Sequence, residues 1–207
     1  MQALALTFAT GWASGINAYL VVLVLGIAER LASFSQIPDV LGSWPVLIAA
    51  SALYALEFVT DKIPYVDSTW DAISTVIRPT VGAVIGVLLA GEATSLNEAV
   101  GGVTGGTSAL LAHLTKTTER LAINASPEPL SNIGASVGED VAVLGVATLA
   151  LHHPEVAAAI AGVLLIAGLL GAYLLARVIG SGWRRWKAKP GTRPPTTLPP
   201  PPPAPTP

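Results

Sequence analysis

The chain has 207 residues, of which 52% are hydrophobic and only 12% charged. A soluble domain carries about a quarter of its residues charged, so this composition points to lipid as the solvent. It contains no cysteine, which excludes disulfides, thiolate catalysis and thiolate metal sites. Its three histidines, His113, His152 and His153, do not suggest a multi-histidine metal centre. No metal and no other cofactor is expected, and no nucleic-acid partner.

The fold class expected is all-α: a polytopic membrane protein of six transmembrane helices, residues 1–183, followed by a tail, residues 184–207. The N-terminus lacks the basic residues that precede the apolar stretch of a cleavable signal, so it reads as a retained first helix. That helix spans about residues 2–31, longer than a hydrocarbon core of about 30 Å requires. It must tilt, protrude or break, and Gly11 and Gly15 are the candidate places. A short loop, residues 33–43, leads to helix two at Trp44-Pro45, with proline suited to a first helical turn. After Thr60, the run from Asp61 to Asp71 is polar, aromatic and interrupted by Pro64, and reads as an interfacial or re-entrant connection carrying Asp67, Trp70 and Asp71.

Helix three is predicted over residues 72–91, kinked at Pro79 and bearing Arg78. Helix four, about 95–121, is rich in glycine and threonine. It suits a position surrounded by protein better than one facing lipid. Helix five covers about 130–151. Helix six, about 156–179, has 21 uncharged residues from Val156 to Ala176 and ends on the aromatic and basic anchor Trp183-Arg184-Arg185-Trp186-Lys187. From Pro190 onward ten of eighteen residues are proline, which reads as an extended, disordered tail: a docking segment for a proline-recognising cytoplasmic partner, or a variable segment.

Six single crossings place Lys62, Arg78, Lys116, Arg120, Arg177, Arg184, Arg185, Lys187, Lys189 and Arg193 on one side and only Arg30 on the other. Basic residues stay cytoplasmic, so the expectation is a multi-pass protein of the cell inner (cytoplasmic) membrane with both termini in the cytoplasm. Residues 11–31 also align without a gap on residues 101–121, with six identities that include Glu29-Arg30-Leu31 over Glu119-Arg120-Leu121. This suggests two three-helix halves, about 1–92 and 93–183, inverted with respect to each other. Transporters use such repeats to build a site near midplane.

Several residues are candidates for chemistry. Ser14 and Asn17 on helix one, and Thr104 and Thr107 on helix four, are polar. They lie among Gly11, Gly15, Gly101 and Gly105, whose spacing also suits close helix packing. Glu57 and Asp61 share a face at the end of helix two. Ser131, Asn132, Ser136, Glu139 and Asp140 give helix five a polar face. A carboxylate inside a membrane must either titrate or find a cationic partner, and is a functional candidate on that ground. Asp67 also fits a plain helix start, as a capping acid. His152-His153 reads as a loop, and no phosphate-binding loop, nucleophile elbow or metalloprotease signature occurs.

Gly15-Ile16-Asn17-Ala18-Tyr19, the run Glu57-Phe58-Val59-Thr60-Asp61-Lys62-Ile63-Pro64, Asp67-Ser68-Thr69-Trp70-Asp71, Ser131-Asn132 and Gly138-Glu139-Asp140 together resemble a bacterial integral-membrane family designated domain of unknown function 4126. The resemblance covers about residues 3–180. It implies a multi-spanning membrane protein and brings no activity. The leading expectation is therefore a small inverted-repeat transporter or channel. In it Glu57, Asp61 and Asp140 bind a cation or proton, and a homodimer is expected because six short helices enclose little volume. A membrane scaffold using the tail and a lipid-modifying enzyme are the alternatives.

Overall fold

A computed structural model describes residues 2–63, 65–91, 95–124 and 129–188. The proline-rich tail from residue 190 therefore lies outside the described residues. Among those described there are six α-helices and no strand: α1 Gln2–Ala32, α2 Trp44–Thr60, α3 Val66–Ala90, α4 Ser95–Asn124, α5 Pro129–His152 and α6 Pro154–Ala188, with a 3-10 turn at Asp39–Gly42. Four of them, α1, α3, α5 and α6 as far as Val178, are long and apolar enough to cross a membrane, while α2 is a shorter apolar helix. The compact unit ends at Tyr173; residues 174–188 continue α6.

α1 is two helices in sequence. Asn17 has φ −148° and ψ 96°, outside the helical region. Its side-chain oxygen accepts the backbone N–H of Leu20 at 3.0 Å, which is how an asparagine caps the start of a new helix. The first arm, residues 2–16, packs beside α4. Thr7 lies by Gly86 and Gly101, Gly11 by Gly105 and Ser108, and Gly15 by Ala109 and Ala112. The numbers rise together, so the first arm and α4 run parallel. Gly82 faces Gly105 and Gly86 faces Gly101, so α3 and α4 run antiparallel.

The second arm, residues 18–32, returns. Its Gly26 packs on Leu41 and Leu47. Beyond it, Ile37 and Pro38 line a cavity with Leu88, Gly91 and Glu98. Ala3 and Leu4 line a neighbouring one with Ala90 and Asn97. The two ends of α1 thus lie at the same end of the bundle, where α3 finishes and α4 begins. α5 also finishes there, the Gln36 side chain donating to the Leu151 carbonyl. Each arm is about 22 Å long, short of a hydrocarbon core of about 30 Å.

This corrects two expectations. A single crossing by α1 would put its ends on opposite sides of the bundle; the break at Asn17 puts them on one. The inverted repeat would make α1 and α4 antiparallel, whereas the aligned glycines bring the first arm and α4 together as parallel neighbours. Gly11 and Gly15 serve that packing and the break falls two residues later. α3 starts at Val66, inside the run read as a connection, and passes through Pro79 without leaving the helical region. α6 extends through the basic anchor to Ala188.

The α3–α4 and α1–α4 contacts run backbone to backbone. A Cβ on Gly82 would sit 2.6 Å from the Ala109 Cβ and 2.8 Å from the Gly105 carbonyl oxygen. Outward faces remain apolar, with Val76, Val141, Val163 and Ile166 all more than half exposed, as lipid-facing side chains are. Gly82→Val should therefore destabilise the folded protein by about 1–3 kcal/mol through overpacking, read as an earlier thermal transition in detergent. Gly171→Ala, where an added Cβ meets nothing within 4 Å, should leave the transition unmoved.

Candidate functional site

The break in α1 leaves two helix ends among packed side chains. The last carbonyls of the first arm carry partial negative charge, and the first N–H groups of the second arm partial positive charge. Both are answered. Lys116 Nζ of α4 donates to the Ile16 carbonyl at 3.0 Å. Asn17 caps the second arm, and its amide donates to Asp140 Oδ1 of α5 at 3.0 Å. Tyr54 of α2 donates to the other Asp140 oxygen at 3.4 Å.

A charge network surrounds this break. α3 presents Asp67, Asp71, Ser74 and Arg78 on one face, and α4 presents His113, Lys116 and Arg120; all are buried. Arg78 Nη2 makes a very short ion pair with Glu57 Oε1, and Nη1 lies 3.0 Å from Asp71 Oδ1. Lys116 reaches Asp61 at 2.8 Å and Glu139 at 3.2 Å. Arg120 grips Glu139 with two donors, at 3.0 and 2.5 Å, and donates to the Asp61 carbonyl and to Asn132. Asp67 lies 3.8 Å from Arg120. Lys62 donates to Ser136 at 3.3 Å and to the Phe58 carbonyl, and stacks over the Phe58 ring.

His113 is fixed by its neighbours. Arg78 Nη1 lies 2.9 Å from its Nδ1, and an arginine can only donate. Nδ1 is therefore the acceptor, and Nε2 carries the proton towards Thr75 at 2.9 Å. Burial alone would raise the Asp61 carboxyl. The Lys116 ammonium with its hydrogen bond, helped by Arg78 and Arg120, outweighs this and holds it below the ordinary carboxylate value.

Sequence and structure can be compared residue by residue. Asn17, Glu57, Asp61, Asp67, Asp71, Arg78, Asn132, Ser136, Glu139 and Asp140 are brought into one neighbourhood. Ser14 joins through a 3.3 Å bond to the Arg78 carbonyl. Trp70 is half-buried with its indole N–H lacking a protein acceptor. Thr104 and Thr107 do not join: they lie two or more turns along α4 from Lys116, and Thr107 is exposed. Ser131 is exposed on α5. The carboxylates expected to hold a cation on their own are mostly held by basic side chains. Those partners, Lys116 and Arg120, entered the sequence reading only as flanking charges. The spacing His113, Lys116, Arg120 marks one helical face and is the signal that would have found them.

The profile of a family described as domain of unknown function 4126 matches residues 4–173. The chain belongs to this family. No curated protein and no solved structure matches it. The matched span contains every residue of the network, which makes the network part of the domain and not of the tail.

Removing one partner from a buried ion pair leaves an uncompensated charge. Arg120→Met should therefore cost about 3–5 kcal/mol of stability. Adding Glu139→Gln to it should recover part of that loss in detergent unfolding. The sign for Asp61 follows from its lowered value. Its contribution is fully present above the unfolded carboxylate range near pH 4 and is lost as pH falls through the depressed folded value. Asp61→Asn should flatten this acid limb of the stability profile.

Proposed function

We propose that this protein is a small membrane transporter or channel that moves a proton or small cation through the charge network at the break in α1. One observation carries this reading. Among the described residues, six carboxylates (Glu57, Asp61, Asp67, Asp71, Glu139, Asp140) meet four basic groups (Lys62, Arg78, Lys116, Arg120), a surplus of two negative charges. Buried carboxylates tolerate an excess of their own charge poorly, and the partly exposed Glu139 and Asp140 are where a proton or cation could enter to offset it.

Two features support a conducting role over a purely structural one. Transporter sites are built from discontinuous helices whose exposed termini handle charge. Here the broken helix points its carbonyl end at Lys116 and its N–H end towards Asp140. A cavity of about 360 Å³ also reaches the network from one flank, lined by Trp12, Ile16, Thr115, Glu119, Glu139 and Gly168. The basic residues around the network favour the cytoplasmic side for this end of the bundle. The loop at residues 33–43 and the start of α1 then face the other side.

The test is flux from proteoliposomes under an imposed pH or sodium, potassium gradient. Wild-type protein should dissipate at least one gradient well above empty vesicles. Asp140→Asn, which loosens the Asn17 cap, should reduce that rate at least tenfold while the protein remains folded. Absence of flux for every ion, in correctly inserted protein, contradicts the proposal.

A further inference from the structure

We propose that Asp71 is the resident proton-binding site of the network: its carboxyl group is protonated at neutral pH. This names the ion of the site proposed above, and rests on that reading only for its part in transport.

The geometry around Arg78 carries the inference. Its Nη2 is committed to Glu57 Oε1 and its Nη1 to His113 Nδ1. Asp71 Oδ1 is close enough to Nη1 for an ion pair, at 3.0 Å, yet is not aligned for a hydrogen bond. Neither oxygen of Asp71 accepts any protein hydrogen bond, and the side chain is 1% exposed. An ionised carboxylate so placed has an ion pair but no hydrogen bond to set against the cost of burial. Glu57, Asp61, Glu139 and Asp140, by contrast, each accept at least one side-chain hydrogen bond.

Unused acceptors stand nearby. Ser74, three residues along the same face of α3, has a buried hydroxyl with no partner, and Glu57 Oε2 is likewise buried and unpartnered. A protonated Asp71 becomes a donor; a carboxylate oxygen such as Glu57 Oε2 can only accept, whereas the Ser74 hydroxyl could pair with either form of Asp71. The charged groups that act on Asp71 come from each neighbouring polar element: Asp61 at the end of α2, Arg78 of α3, Lys116 and Arg120 of α4, and Glu139 of α5; Tyr19 of α1, Glu57 of α2 and His113 of α4 gather around the same Arg78. Glu57 and Asp71 share Arg78, and the next cation, Lys116, lies 4.0 Å from Glu57 Oε1 and is itself shared with Asp61 and Glu139. With Arg120 included, these four carboxylates share three cations, and one proton removes the excess. A metal ion fits less well. It would sit against the Arg78 guanidinium, and no group of three or more metal-ligating side chains occurs among the described residues.

Infrared spectroscopy of the full chain in lipid at neutral pH tests this directly. The expected result is a carbonyl-stretch band of a protonated, dry carboxylic acid that moves when aspartate is labelled with carbon-13 in the side-chain carboxyl. Labelled glutamate should not move it, and Asp71→Asn should abolish it while Asp140→Asn keeps it. The labelling arm needs no variant, so a misfolded Asp71→Asn does not rescue the proposal. Absence of the band from wild-type protein, or its persistence in folded Asp71→Asn, overturns it. Flux is read separately. A band without flux keeps the proton site and removes transport, and flux without the band does the reverse.

Discussion

The structure depends on satisfying two helix ends inside an apolar bundle. Breaking α1 at Asn17 exposes carbonyls on one arm and N–H groups on the other, where water is scarce and each orphan group is costly. Lys116 answers the first and the Asn17 side chain, steadied by Asp140, answers the second. Lys116 is charged, so it needs counter-charges of its own. The rest of the network follows from that need. Asp61 and Glu139 neutralise Lys116, Arg120 neutralises Glu139 in turn, and Asn132 and the Asp61 carbonyl use the remaining guanidinium donors.

Glycine makes this arrangement possible. The network needs α1, α3 and α4 close enough for short polar side chains to meet. Gly11, Gly82, Gly86, Gly101 and Gly105 let the three backbones touch. The same residues that look like a packing motif therefore set the depth at which Ser14 reaches the Arg78 carbonyl and Lys116 reaches Ile16. Packing and polar chemistry are two uses of one interface. The price is a site with more acids than bases, and that imbalance is where the proposed proton chemistry resides.

Much of this was legible from the residues. Long apolar runs gave the helices, and helical spacing placed Asn132, Ser136 and Asp140 on one face. Glu57 with Asp61 stood out because acids are expensive there. The reversal of α1 was not legible. Hydropathy reports composition and not direction, and Gly15-Ile16-Asn17-Ala18 lies inside an unbroken apolar run. An asparagine two residues after a glycine is a possible end and restart of helix, but nothing local distinguishes it from a polar face. The repeat alignment misled for a related reason: glycines at matched spacing reflect shared packing needs as readily as shared ancestry. Lys116 and Arg120 were read as flanking charges because both lie near the end of a helix, while their actual partners come from segments distant in sequence.

The reversal of α1 is the claim on which the rest stands, and the absence of cysteine makes it directly measurable. Spin labels on Leu4→Cys paired with Ser35→Cys, in protein reconstituted into lipid, should give a separation well below the thickness of the bilayer core of about 30 Å. The pair Leu4→Cys with Ile63→Cys, which spans the first arm, should give a clearly longer one, of about 20 Å or more. A long separation for the first pair would mean that α1 crosses without turning back, and the network built around its break would fall with it.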